Sequence, residues 1–93
     1  MKGDFMNKEI LNKAIEYYGK ENQINKAKEE LVELLNEITL EANWIKKERV
    51  IDEIADVTIM IEQLKIIFCC NSMVEDRIKF KLDRLEKRID DDK

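Results

Sequence analysis

Between residues 24 and 38 apolar side chains recur at Ile24, Ala27, Leu31, Leu34 and Ile38, in alternating steps of three and four. Only an α-helix brings residues at that spacing onto one side. The chain has no proline to interrupt the pattern and only two glycines. A β-rich fold is therefore disfavoured and a helical bundle favoured.

The same period recurs along the chain. A first helix is predicted over residues 5–18, with Phe5, Ile10, Ala14, Ile15 and Tyr18 on one side, and Gly19 ends it. The second is predicted over 22–42. The third, over 46–69, carries Val50, Ile54, Val57, Ile61, Leu64 and Phe68, widened by Ile51, Ile59, Met60, Ile66 and Ile67. Ser72 and Glu75 have capping-box spacing and open a fourth helix to residue 89. Val74, Ile78, Leu82, Leu85 and Ile89 are its expected inward side, and residues 90–93 form an acidic, solvated tail.

No linker or repeat divides the 93 residues, so they are read as one all-α four-helix domain with its core in 5–89. A chain this short has a thin core, and oligomerisation would deepen it. The third helix is apolar around so much of its circumference that it should face another subunit as well. A homodimer or homotetramer is expected.

Acidic residues sit at the margins of these stripes. Gln23, Lys26, Glu30, Glu33 and Glu37 each precede an apolar residue of the second helix, forming one polar row. Glu53 and Asp56 hold the same relation to Ile54 and Val57. Residues three apart on a helix are surface neighbours, so each helix can aim two carboxylates at one point. If the helices pack antiparallel, four carboxylates meet, and they repel unless a cation lies among them. Oxygen ligands suit magnesium, or manganese. Glu29 could take the place of Glu30, since it too shares a side with Glu33. Arg77, Lys81, Arg84 and Arg88 make a basic row on the fourth helix, suited to phosphate oxygens.

Several chemistries are excluded. Histidine is absent, which removes Glu-x-x-His di-iron sites and histidine-based nucleophilic mechanisms. No phosphate-binding loop of the G-x-x-x-x-G-K-[ST] kind is present. The adjacent pair Cys69 and Cys70 makes a poor disulfide and a poor zinc site. A net charge of −4 argues against nucleic-acid binding. The apolar run over 57–70 is interrupted by Glu62, Gln63 and Lys65, too short for a membrane span. With no apolar leader either, a cytoplasmic protein is expected.

Glu29-Glu30-Leu31-Val32-Glu33 followed by Glu53-Ile54-Ala55-Asp56 resembles the E-E-x-x-E and E-x-x-D motifs of the MazG-like all-α nucleoside triphosphate pyrophosphohydrolases. The likeness spans residues 23–89 and extends to short, phage-type members, which carry similar apolar text after the second motif. It implies a magnesium-dependent cleavage between the α and β phosphates, giving a nucleoside monophosphate and pyrophosphate. Glu30, Glu33, Glu53 and Asp56 would hold the metal, with Glu33 or Glu53 as base. Lys81-Leu82-Asp83-Arg84 is similar to the K-x-x-R of the family's last helix, implying phosphate contact by Lys81 and Arg84. Gln23, Lys26 and Trp44 complete the expected substrate contacts; Trp44 would stack on a base or plug a gap between helices. The competing expectation is a non-catalytic helical oligomerisation or interaction module.

Overall fold

The computed structural model describes residues 6–40 and 47–93. Among them the chain is all-helical, with four α-helices and no strand: α1 Lys8–Tyr18, α2 Lys20–Leu40, α3 Glu48–Ile67 and α4 Asn71–Asp92. Phe5 and Trp44, with the expectations attached to them, lie outside the described residues.

Helix α1 starts where Asn7 Oδ1 accepts from the backbone N–H groups of Glu9 (3.0 Å) and Ile10 (3.3 Å), satisfying two otherwise free donors. It ends at Gly19, whose φ of 94° and ψ of 148° belong to a region only glycine enters easily. The Gly19 N–H donates to the Ile15 carbonyl, and its own carbonyl accepts from the Gln23 N–H. One residue thus closes α1 and opens α2. The buried pair on α1 is Leu11 and Ile15, while Ile10 and Tyr18 are exposed, a correction to the expected stripe. Leu11 and Ile15 lie four apart and stack on one face.

Helix α3 ends two residues earlier than expected. The Cys70 N–H reaches the Lys65 carbonyl and the Cys69 N–H the Ile66 carbonyl, each at 3.0 Å. With Cys69 at φ 52°, this is a Schellman turn with cysteine where glycine is usual. It leaves room for α4 to start at Asn71, one residue before Ser72. The expected capping box is therefore absent: Ser72 lies inside the helix, and Cys70 caps it without a side-chain bond. Residues 90–93 are exposed, as expected, although 90–92 belong to α4, which continues through Asp92.

Packing departs from the expected stripes more instructively. Helices α1, α2 and α3 pack on one another, and α4 touches only α3. From Glu75 onward every residue of α4 is exposed, so Ile78, Leu82, Leu85 and Ile89 do not point inward. The core is Leu11, Ile15, Ala27, Val57 and Met60, joined by buried Gln23, Glu30 and Gln63. On α2 the row turned toward α3 is thus Gln23, Ala27 and Glu30, with Leu34 and Glu37 partly buried beside it. Leu31, Leu35 and Ile38 are left outside, as are Ile51, Ile54 and Ile61 on α3. Helix α3 is not enclosed on several sides within one chain. The radius of gyration, 16.0 Å, exceeds the roughly 12 Å of a compact domain this long. No helix among the described residues is long and apolar enough to cross a membrane.

Candidate metal centre

The contact between α2 and α3 sets the site. Glu30 and Glu33, one turn apart on α2, meet Glu53 from the second turn of α3. One carboxylate oxygen from each of the three lies within 4.8 Å of the others. Glu30 is buried, Glu53 half-buried and Glu33 exposed, so the cluster is a shallow bowl with one wall open to solvent. Asp56, the fourth expected ligand, is exposed on the next turn of α3 and lies outside this group. Its charge nevertheless reaches Glu53.

The two innermost oxygens are the informative ones. Glu30 Oε1 and Glu53 Oε1 are both enclosed, and neither has a hydrogen-bond partner among the described residues. Leaving a buried carboxylate oxygen without a donor is costly. The Glu53 carboxyl is pushed up to about 7. Desolvation is the first cause, followed by the charge of Glu33, the nearness of a Glu30 carboxylate able to accept a proton carried by Glu53, and the charges of Glu30 and Asp56. The other oxygen of Glu30 accepts from Lys26 Nζ at 3.1 Å. That hydrogen bond, and then the charge of Glu30, holds the exposed Lys26 ammonium above its usual range.

Three carboxylates converging from two helices, two of which carry an enclosed, unpartnered oxygen, match the hard-donor set a divalent cation takes. The buried cluster could hold a metal ion, and its donor chemistry fits magnesium or manganese.

The remaining candidates are scattered. Glu29 lies outside the cluster and lines a neighbouring cleft. Glu37 lies 3.8 Å from Arg49 Nη1. Lys81 and Arg84 sit on exposed α4, which does not touch α2; the Arg84 guanidinium lies 5.7 Å from the Phe80 ring centroid. Gln23 is buried, its Nε2 donating to Gln63 Oε1 at 2.7 Å. Gln63 was legible only as an interruption of an apolar run; its spacing of three from Met60 was the available signal.

No protein-family model, curated protein or solved structure matches the chain.

Proposed function

We propose that this chain is a magnesium-dependent nucleoside triphosphate pyrophosphohydrolase. The observation that carries this reading is the convergence of Glu30, Glu33 and Glu53 with two enclosed, unpartnered oxygens. A bundle that needed these carboxylates only for solubility would leave them apart in water. Glu30 and Glu53 would hold the cation through their inner oxygens, with Asp56 adding charge from the next turn. A cation there neutralises phosphate oxygens and lowers the pKa of a bound water. Glu33, the exposed member, is placed to accept the proton of an attacking water. Lys26, charged and beside Glu30, is placed to neutralise an outer phosphate oxygen.

Lys81 and Arg84 enter this scheme only through assembly, because α4 of the same chain does not meet α2. Ile78, Leu82, Leu85 and Ile89 follow the 4-3-4 spacing of a coiled-coil seam, and each is about half exposed. The chain exposes 7839 Å², against roughly 5,700 Å² for a compact monomer of its mass. The excess, about 2,100 Å² per chain or about 4,200 Å² for a pair, falls within the total that obligate homodimers bury. A homodimer, or a dimer of dimers, is the proposed state. Light scattering at micromolar concentration should give at least twice the 11.1 kDa chain mass. Leu82→Glu should lower that mass, and a parent chain that scatters as a monomer would refute the assembly.

The same exposed faces favour a second reading, an interaction module without catalysis. Pyrophosphate release from a panel of ribo- and deoxyribonucleoside triphosphates, with and without Mg²⁺, separates the two. Magnesium-dependent release supports the hydrolase; no release from any nucleotide leaves the interaction module.

A further inference from the structure

Beside the carboxylate bowl, and separate from it, an open cleft of about 700 Å³ runs between α1, α2 and α3. Its lining includes Tyr18, Asn22, Gln23, Lys26, Met60 and Gln63. This is an uncommon wall for a small helical protein, in which a gap between helices is normally closed by aliphatic side chains. Gln23 and Gln63 are 7% and 4% exposed, yet both contribute to it. They are joined to each other at 2.7 Å across the α2–α3 contact.

A carboxamide pair of this kind is incompletely satisfied by itself. Each amide has an acceptor oxygen and two N–H donors. The mutual bond uses the Gln63 oxygen and one Gln23 donor. The Gln63 Nε2 has Met60 Sδ as its neighbour, at 3.8 Å, and a thioether is a weak acceptor. An oxygen on Gln23 and a donor on Gln63 take no part in the mutual bond and are available to a ligand in the cleft. Asn22 and Asn25 add further amide groups at the cleft mouth. Tyr18 and Met60 supply ring and thioether surface against which a flat molecule packs.

We infer that this cleft binds a nucleobase, read at its donor–acceptor edge by Gln23 and Gln63. Base edges carry adjacent donors and acceptors on a flat, largely apolar ring, the complement of an amide pair flanked by Tyr18 and Met60. The position agrees with this. Lys26 lines the cleft and also bonds Glu30 of the bowl, so one side chain spans the two sites. A nucleotide would lie with its base against the amides and its phosphates beyond Lys26. Because both amides can turn over together, the pair can present the reverse order of donor and acceptor. Keto- and amino-bearing bases should therefore bind with affinities within about tenfold of each other. The inference deepens the hydrolase reading and rests on it for the phosphate end only.

The test uses nucleosides, which have no phosphate, and inorganic tripolyphosphate, which has no base. Adding millimolar uridine or cytidine to the ¹⁵N-labelled parent should shift the side-chain amide signals of Gln23 and Gln63, with or without magnesium. Gln63→Met, which keeps length but removes both polar groups, should weaken nucleoside binding about tenfold, the effect of one lost hydrogen bond. The same variant should bind magnesium tripolyphosphate as the parent does. Amide signals that stay in place at millimolar nucleoside overturn the inference, whether or not Gln63→Met folds. So does a folded Gln63→Met that binds nucleosides like the parent, which would make the pair a structural lock. Failure of pyrophosphate release with nucleoside binding intact would remove the hydrolase reading and leave this site standing.

Discussion

Glu53→Gln should reduce pyrophosphate release by at least about a hundredfold, the scale on which loss of a preorganised charged group acts in an active site. The amide keeps the size of the side chain and its place in the second turn of α3. What it loses is the charge of a carboxylate that has one enclosed, unpartnered oxygen and brings an oxygen within 4.8 Å of oxygens from Glu30 and Glu33. Helix content and assembly should be unchanged, because Glu53 forms no ion pair among the described residues. Glu33→Gln should behave differently. Its side chain is exposed, so the variant should retain magnesium affinity while turnover falls, separating a proton acceptor from a holder of the cation. Steady-state kinetics alongside magnesium titration make the distinction. A Glu53→Gln protein releasing pyrophosphate within a few-fold of the parent would place catalysis elsewhere.

How much of this was legible beforehand depends on the residue. The acidic motifs announced themselves by spacing alone. Glu30 and Glu33 share a side because they lie three apart on one helix, and Glu53 meets them across the α2–α3 contact; Asp56, equally three from Glu53, stays outside the group. Gly19 was equally plain, since a lone glycine between two periodic segments marks the backbone conformation found there. The rotation of α2 was not legible. Ile24, Leu31 and Ile38 read as the inward stripe on the assumption that one chain buries its own apolar surface. Of that stripe Ala27 is buried as expected and Ile24 and Leu34 are half-buried, but Leu31 and Ile38 are exposed while Gln23 and Glu30 turn toward α3. Sequence period fixes which residues share a face, whereas tertiary contact decides where the face turns. The α3–α4 corner was misjudged for a local reason. Glycine is the usual sign of a Schellman turn, and here Cys69 adopts the left-handed conformation instead. Gln63 shows a further limit: a polar residue in an apolar run discloses that it interrupts, not what it meets.

The cluster also makes stability depend on pH in a direction opposite to that of most ion-paired carboxylates. The Glu53 carboxyl lies near 7 in the folded chain and near 4.3 when unfolded. Between those values the folded state binds the extra proton, so stability falls as pH rises through the interval. Below the unfolded value the group is protonated in both states and contributes nothing. Above about 7 its full cost is present. In EDTA, Glu53→Gln should therefore gain on the parent as pH is raised from 5 to 8, tracing this one group among 21 acidic residues. Magnesium should reverse the order. A ligand that binds only the folded state stabilises it by roughly 2.7 kcal/mol at a hundredfold excess over its Kd. For a domain of this size that is about 10 °C or more in Tm. The shift should be largest at pH 8, where Glu53 is charged, and should shrink at pH 5, where protons compete for it. Glu53→Gln should lose most of it at either pH. Melting curves of parent and variant, in EDTA and in Mg²⁺, carry the test. A parent that melts at one temperature in both conditions at pH 8 has no magnesium site at this bowl.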